Sequence, residues 1–500
     1  MKVIAAKEMS RIEAIAFTEG SSGEEFMYNA GSGIANVIER EIAIHEHKKQ
    51  VTLLCGKGNN AGDAYVAGTL LTQKGYQVEA LQLVPSEQCS PLCQNQIQHF
   101  QEKNGKIRLI KAHEQIELPS SGILLDGILG TGFHGKVEGL FHAAISKANQ
   151  SLLPTIAIDI PSGLNGNTGE TGGIAIEAFI TIFLCLPKTG FFIRNGWKYV
   201  GKLQLVDFGL KTKYVNSSEE DFITMTHAHA SSLLPPILRN RHKYQAGYVV
   251  GIAGSPGMPG AAILASYAAL RCGAGIVRLL HPDGMQAELA NSPYELIKQA
   301  FYTGKEEELI PTLNDAAATF IGPGLGSSEG SKTLLRKVLP KIKKPCVIDA
   351  DALNILSMEK ISLPQYTVMT PHSGEMHRLL GLKEKHPLNM DFIHLCSKFS
   401  KENNVTLILK GSPSFVFQPK ETPFVIPYGD PGMATAGTGD VLTGIVASLL
   451  AQGLSTKNAA CLGVYLHALA GEHASKQLTS YSVIASDLID ALPFAYKLLI

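Results

Sequence analysis

The chain has 500 residues, which at roughly 150 residues per domain predicts two to four domains rather than one core. Hydrophobic residues make up 45%, charged residues 18% and aromatic residues 7%, a soluble globular composition that argues against a disordered, fibrous or collagen-like chain. Lys plus Arg and Asp plus Glu each number 44, which disfavours a broadly basic nucleic-acid binder, and 49 glycines suggest many tight turns where backbone approaches a ligand.

The opening MKVIAAKEMSRIEAIAFTEG reads as an amphipathic helix and lacks the apolar stretch of a signal peptide. Residues 51–55 form a short apolar strand running into a Gly/Asn turn, 61–74 a helix and 78–84 a second strand. Of the eight cysteines only Cys89 and Cys93 lie close together, so reduced thiols are a better expectation than disulfides or a metal site. Residues 123–126, 155–159, 179–184 and 203–206 continue the apolar runs. Strands alternating with helices imply a parallel sheet covered on both faces, with ligands at its carboxyl edge. The most apolar stretch, 179–186, is far short of the about 20 residues a membrane span needs, so a cytoplasmic protein without membrane or nucleic-acid partners is expected. The polar run 211–226 is the expected linker. Strands restart at 248–253, 276–280, 318–321, 346–349, 367–370 and 405–410, and 415–417 with 424–426 reads as a hairpin before the last helices. The whole is an α/β chain of two domains, 1–212 and 222–500.

Three strand-end turns carry the chemistry of the first domain. Gly56-Lys57-Gly58-Asn59-Asn60-Ala61-Gly62-Asp63 combines close backbone approach with two amides at a helix start, where anions are favoured; a plain Gly/Asn turn is the alternative. Asp126-Gly127-Ile128-Leu129-Gly130-Thr131-Gly132-Phe133-His134-Gly135 offers a carboxylate followed by a flexible loop, a weak signal alone. Asp159-Ile160-Pro161-Ser162 adds a second carboxylate and a hydroxyl. A carboxylate in such a cleft can move protons, and oxygens from Asn60, Asp126 and Ser162 could hold a cation of undetermined kind.

Together GKGNNAGDA, DGILGTGFHG and IDIPSGLNGNTG resemble the amino-terminal domain of the YjeF family, the NAD(P)HX epimerases. The resemblance implies a Rossmann-like domain that interconverts the S and R forms of hydrated NAD(P)H. It implies that Asn59, Asn60, Ala61, Gly62, Asp63, the loop Gly130, Thr131, Gly132, Phe133, His134, Gly135 and Lys136, and Asp159 contact the dinucleotide. It also implies Asp159 as a catalytic group and Asn60, Asp126 and Ser162 as potassium ligands. Two departures stand out: the family's Gly-Gly-Asp-Gly reads Ala61-Gly62-Asp63-Ala64, and His134 stands where some relatives have Lys.

In the second domain Gly432-Met433-Ala434-Thr435-Ala436-Gly437-Thr438-Gly439-Asp440 is the strongest signal. Small residues at a helix start let consecutive amides point at one anion, and a carboxylate at that edge can take the proton of a hydroxyl attacking a phosphoryl group. The alternative is a plain helix-start carboxylate. HKY (242–244), GSPGMPGAA (254–262), GPGLG (322–326), DADALN (349–354), TPHSGE (370–375) and LKGS (409–412) join it, and the absence of GxxxxGK[ST] excludes a P-loop. This series resembles the carboxy-terminal YjeF domain, an ADP- or ATP-dependent NAD(P)HX dehydratase of the ribokinase-like superfamily.

The resemblance implies that Ala261, Gly324, His372 and Asp440 contact the hydrated dinucleotide, and that Lys410, Gly411, Ser412, Pro413, Ser414 and Gly439 contact the nucleotide. Ala436, Gly437, Thr438 and Gly439 would form the anion hole and Asp440 the catalytic base. Ser414 replaces the family's Thr and keeps a hydroxyl. The implied enzyme is a bifunctional epimerase and dehydratase that uses NAD(P)HX and ADP or ATP, with potassium and magnesium, as a homo-oligomer. A ribokinase-like small-molecule kinase with an amino-terminal dinucleotide-binding module is the alternative.

Overall fold

The computed structural model describes residues 1–500 and divides into two compact units, Met1–Phe222 with Leu388–Met390, and Ile223–Pro387 with Asp391–Ile500.

The first unit is built on a wholly parallel sheet in the order Lys106–Leu109, Gln77–Gln82, Gln50–Cys55, Ile123–Gly127, Thr155–Ile158, Ile180–Leu184, Lys202–Val206. Successive strand residues face opposite sides, and both sides are covered, so the central strands are apolar throughout. Val51, Leu53 and Cys55 pack with Ile38 and Ala64 on one face, while Leu54 and Leu124 pack with Ile145 on the other. Each fully buried Leu or Val stabilises by about 1.5–3 kcal/mol over an exposed one. The chain leaves Gln50–Cys55 in one direction and later crosses to Ile123–Gly127 on its other side, so the order reverses between those two strands. At such a switch point the connections diverge and open a crevice.

In the second unit the order is Ile297–Phe301, Ile276–Pro282, Tyr248–Ile252, Ala318–Ile321, Cys346–Ile348, Thr367–Met369, Thr406–Leu409, Ser414–Phe417, Phe424–Ile426, and then residues 223–224. The strands are parallel as far as Thr406–Leu409, and the next two join antiparallel as the expected hairpin, with Ser414 opposite Ile426. Its reversal falls between Tyr248–Ile252 and Ala318–Ile321. The buried helix Thr438–Ala451 packs on this sheet with Pro259–Arg271 beside it.

Three elements differ from expectation. Edge strands Lys106–Leu109 and Ile297–Phe301 carry charged and polar residues and are largely exposed, so they lack the apolar signature of central strands. The polar run expected as linker holds the helix Thr212–Ser217, fixed by the buried Tyr214, and the strand Phe222–Thr224. All eight cysteines are free thiols. No helix is long and apolar enough to cross a membrane.

Candidate active sites

The first unit has a cavity of about 690 Å³ at its switch point. The turn after Gln50–Cys55 supplies Lys57, Gly58, Asn59, Asn60 and Asp63; the loop after Ile123–Gly127 supplies residues 128–134 and 136–138; the end of Thr155–Ile158 supplies Asp159. A Cβ on Gly56 would stand 1.9 Å from the Ile128 carbonyl oxygen, so only glycine lets these two strand ends meet. Of the residues implied as dinucleotide contacts, Ala61, Gly62 and Gly135 do not line the cavity. Ala61 is fully buried, and a Cβ on Gly62 would strike the Met27 side chain at 2.6 Å. The two extra methyl groups are accommodated inside the fold: a Cβ on Gly127 would lie 2.9 Å from the Ala64 Cβ, so Gly127 makes room for that methyl. His134 stands exposed on the loop.

Asp159 takes a left-handed backbone (φ 59°), a conformation that costs a side chain about 1–3 kcal/mol. Its carboxylate is held by Lys188, fully buried, with Nζ 2.5 Å from Asp159 Oδ1. Lys188 also donates to the Leu186 and Leu184 carbonyls, at 3.0 and 3.3 Å. Sequence reasoning missed Lys188, which stands in a Pro-Lys-Thr-Gly turn with no motif attached to it. It also missed Glu13, on the helix Ala6–Thr18, which lines the same cavity. Burial, and then the Asp159 charge, push the Glu13 carboxyl up to about 7. Burial, then Asp159 and Glu13, hold Asp63 well above the usual carboxylate range.

Asn60, Asp126 and Ser162 are brought together as expected. Asp126 is wholly buried and has no cationic partner. Its Oδ1 accepts from Ser162 Oγ at 2.6 Å and the Ile128 amide at 3.2 Å, and its Oδ2 accepts from the Ser162 amide at 2.8 Å. Burial outweighs these bonds and raises its carboxyl to about 6. Asn60 Nδ2 donates to the Leu129 and Ile158 carbonyls, both at 3.1 Å, which leaves its Oδ1 without a donor. One uncompensated buried carboxylate among neutral oxygens suits a weakly bound monovalent cation. No group of three or more His, Cys, Asp or Glu side chains is arranged to hold a metal.

In the second unit the predicted segments follow the carboxyl ends of five adjacent parallel strands: GSPG after Ile252, GPGLG after Ile321, DADALN after Ile348, TPHSGE after Met369 and Lys410 after Leu409. Ala261 and Gly324 are neighbours, since a Cβ on Gly324 would lie 3.2 Å from that of Ala261. Lys410 is the hub. Its Nζ lies 2.7 Å from Asp349 Oδ1 and 4.0 Å from Glu375 Oε2, while Thr443 donates to Asp349 Oδ2 at 2.7 Å. Burial alone would lower the Lys410 pKa, but Asp349 and Glu375 reverse this and raise it.

The helix Thr438–Ala451 starts from a left-handed Gly437 (φ 92°) and has no side-chain cap, so its first amides are free for an anion. Thr438 Oγ1 turns back to the Met433 and Thr435 carbonyls, both at 3.1 Å. His467, another residue sequence reasoning missed, places Nε2 2.9 Å from the Thr438 carbonyl. Burial lowers its pKa to about 4, so the neutral ring donates there and steadies the turn. A Cβ on Gly439 would stand 3.2 Å from Lys410 Nζ, which puts that cation beside the turn. The Asp440 carboxylate makes no hydrogen bond or ion pair, and burial, then Asp349, push its carboxyl up to about 7 against Lys410.

His372 has a different immediate role from the one its motif suggested. Its Nδ1 caps the helix Ser373–Leu379, accepting from the Gly374 and Glu375 amides at 3.0 and 3.4 Å. Burial, then Lys410 and Arg378, lower its pKa, and its Nε2 lies 3.5 Å from Glu375 Oε1. Ser414 Oγ closes its own turn by donating to the Gly411 carbonyl at 3.0 Å.

A switch-point crevice with a paired Lys–Asp in one unit, and in the other a free helix start facing a carboxylate beside a partly buried lysine, define a two-unit, nucleotide-handling α/β enzyme. Family models agree: residues 23–190 match the YjeF-related protein N-terminus, and residues 249–494 match NAD(P)H-hydrate dehydratase. The bifunctional NAD(P)H-hydrate repair enzyme of Moorella thermoacetica is 35% identical over 99% of this chain and 97% of its own. That of Coxiella burnetii is 31% identical over 97% of each. A solved ribokinase-like superfamily protein from Enterococcus faecalis covers 56% of this chain and 97% of its own, with 28% identity and a TM-score of 0.51. The chain belongs to the family of bifunctional NAD(P)H-hydrate repair enzymes.

Proposed function

We propose that the first unit interconverts the R and S forms of NAD(P)HX and that the second dehydrates the S form to NAD(P)H at the expense of ADP or ATP. The observation that carries this reading is that one chain pairs a cavity at the switch point of its first sheet with a chemically different site at the carboxyl ends of its second sheet's parallel strands. Hydrated NAD(P)H carries a hydroxyl on carbon 6 of the reduced ring, and hydroxide is a poor leaving group. In the second unit Asp440 takes the proton of that hydroxyl while its oxygen attacks the terminal phosphoryl group of the nucleotide. The amides of Ala436, Gly437, Thr438 and Gly439 hold the charge that develops on the phosphoryl oxygens. The ring nitrogen then expels phosphate, and loss of a proton from carbon 5 restores the double bond of NAD(P)H.

Ala261, Gly324 and His372 bind the dinucleotide, and residues 410–414 with Gly439 bind the nucleotide. Magnesium would come with the nucleotide phosphates and would lower the charge on the transferring group. In the first unit Asn59, Asn60, Asp63, residues 130–134 with Lys136, and Asp159 hold the dinucleotide. Asn60, Asp126 and Ser162 would hold potassium, whose charge offsets that of the buried Asp126.

The test is Asp159→Ala in the full chain. It should leave dehydration of the S form intact and slow consumption of the R form to its spontaneous rate, and replacing potassium by tetramethylammonium should slow the same step. Equal consumption of both forms by Asp159→Ala at low substrate would remove the epimerase assignment.

A further inference from the structure

Four carboxylates line the first unit's cavity, those of Glu13, Asp63, Asp159 and the exposed Glu138, and the only cation paired with any of them is Lys188. Asp159 takes that lysine. Asp63 is enclosed, 7% exposed, within the helix Asn59–Gln73. Glu13 is different: it is half-buried on the helix Ala6–Thr18, faces the cavity and makes no hydrogen bond or ion pair. A carboxyl placed without a partner at the wall of a ligand-sized cavity is costly unless a ligand or a proton compensates it. The groups whose charge reaches Glu13 are Asp159, which raises its pKa, and Lys188, which opposes; Asp63 is coupled to both acids, and Lys57, His134, Lys136 and Glu138 line the same cavity.

Carbon 6 of the hydrated ring is bonded to the ring nitrogen and to the hydroxyl. Inverting it without an oxidant breaks the carbon–oxygen bond and remakes it on the other face. The nitrogen lone pair forms a double bond to carbon 6 as the hydroxyl takes up a proton and departs as water. A water then adds to the opposite face, the electron pair returns to nitrogen, and the added water gives up a proton. One proton is given on one face and one is taken on the other, so composition is unchanged and two groups are needed.

We infer that Glu13 is the second acid–base residue of the epimerase, exchanging a proton with the oxygen at carbon 6 on the face opposite the one served by the Asp159–Lys188 pair. This rests on the epimerase reading of the first unit. With its carboxyl at about 7, Glu13 exists in both protonation states near neutrality, as a group that must act in both directions requires.

The experiment measures R-to-S interconversion by chromatography on the full chain, wild type against Glu13→Gln, Glu13→Asp and Asp159→Ala, from about pH 5 to 9, with the spontaneous rate subtracted. Glu13→Gln should lose about 100-fold or more in kcat while KM changes by less than about threefold, and the limb of the wild-type profile near pH 7 should vanish. Glu13→Asp should recover part of the rate, and S-form dehydration should be unchanged in all variants. Glu13→Gln with wild-type rate and pH limb, or with a loss confined to KM, overturns the inference while Asp159→Ala still reports on the epimerase itself. A wild type that does not interconvert the epimers overturns the epimerase reading and this inference with it.

Discussion

Asp440 stands in the first turn of a helix that no side chain caps, and its carboxylate is raised to about 7 by burial and by Asp349. A base must be ionised, so kcat/KM for dehydration, which reports the free enzyme, should fall about tenfold per pH unit below about 7 and level off above it. Asp440→Asn should lower dehydration about 100- to 10,000-fold while nucleotide binding persists. The sign of the linked stability effect is opposite. Folding raises this acid's pKa, so its ionisation weakens the fold above the unfolded value, and Asp440→Asn should melt no lower than wild type at pH 8. Retained turnover in that variant would take Asp440 out of the role of base. At this scale the sequence was legible where small residues and a carboxylate cluster, as in residues 436–440, and silent where a residue acts through tertiary position. Lys188 and His467 sit on a turn and a helix whose local sequence shows nothing of their partners, because those partners lie on other elements, and nothing in the local sequence of Glu13 shows the cavity it lines.

The start of the helix Thr438–Ala451 depends on Gly437, which is left-handed and would place a Cβ 2.6 Å from Leu264 Cδ1. Gly437→Ala combines backbone strain with overpacking and should cost about 2–4 kcal/mol, read as a lower melting temperature. Displacing this turn should abolish dehydration and leave R-to-S interconversion untouched; a Gly437→Ala chain with full dehydration would show that the turn does not hold the phosphoryl group. The same scale shows what periodicity can find. Central strands such as Gln50–Cys55 and Tyr248–Ile252 are buried on both faces and read as apolar runs, whereas Lys106–Leu109 and Ile297–Phe301 are exposed edges with mixed residues and left no such trace. The run 211–226 looked like a linker because one buried tyrosine, not a periodic stripe, docks the helix Thr212–Ser217.

Across the whole molecule each sheet reverses its order once, and every motif found in the sequence except HKY, which precedes the strand Tyr248–Ile252, falls at a strand's carboxyl end or at the helix start beside it. That placement follows from the fold class, since alternating strands and helices put all such turns on one edge. It explains why site position was more legible than site chemistry. Chemically the two activities complement each other: a dehydratase selective for one epimer strands the other, and an epimerase on the same chain returns it. The most direct test supplies the full chain with a mixture of R- and S-NADHX, ADP or ATP, magnesium and potassium. Absorbance at 340 nm reports NADH, and chromatography follows both epimers. Complete conversion of both forms to NADH, faster than spontaneous epimerisation allows, is the predicted result. Conversion that stops with the R form left over would contradict the epimerase, and no NADH with either nucleotide would contradict the repair function as a whole.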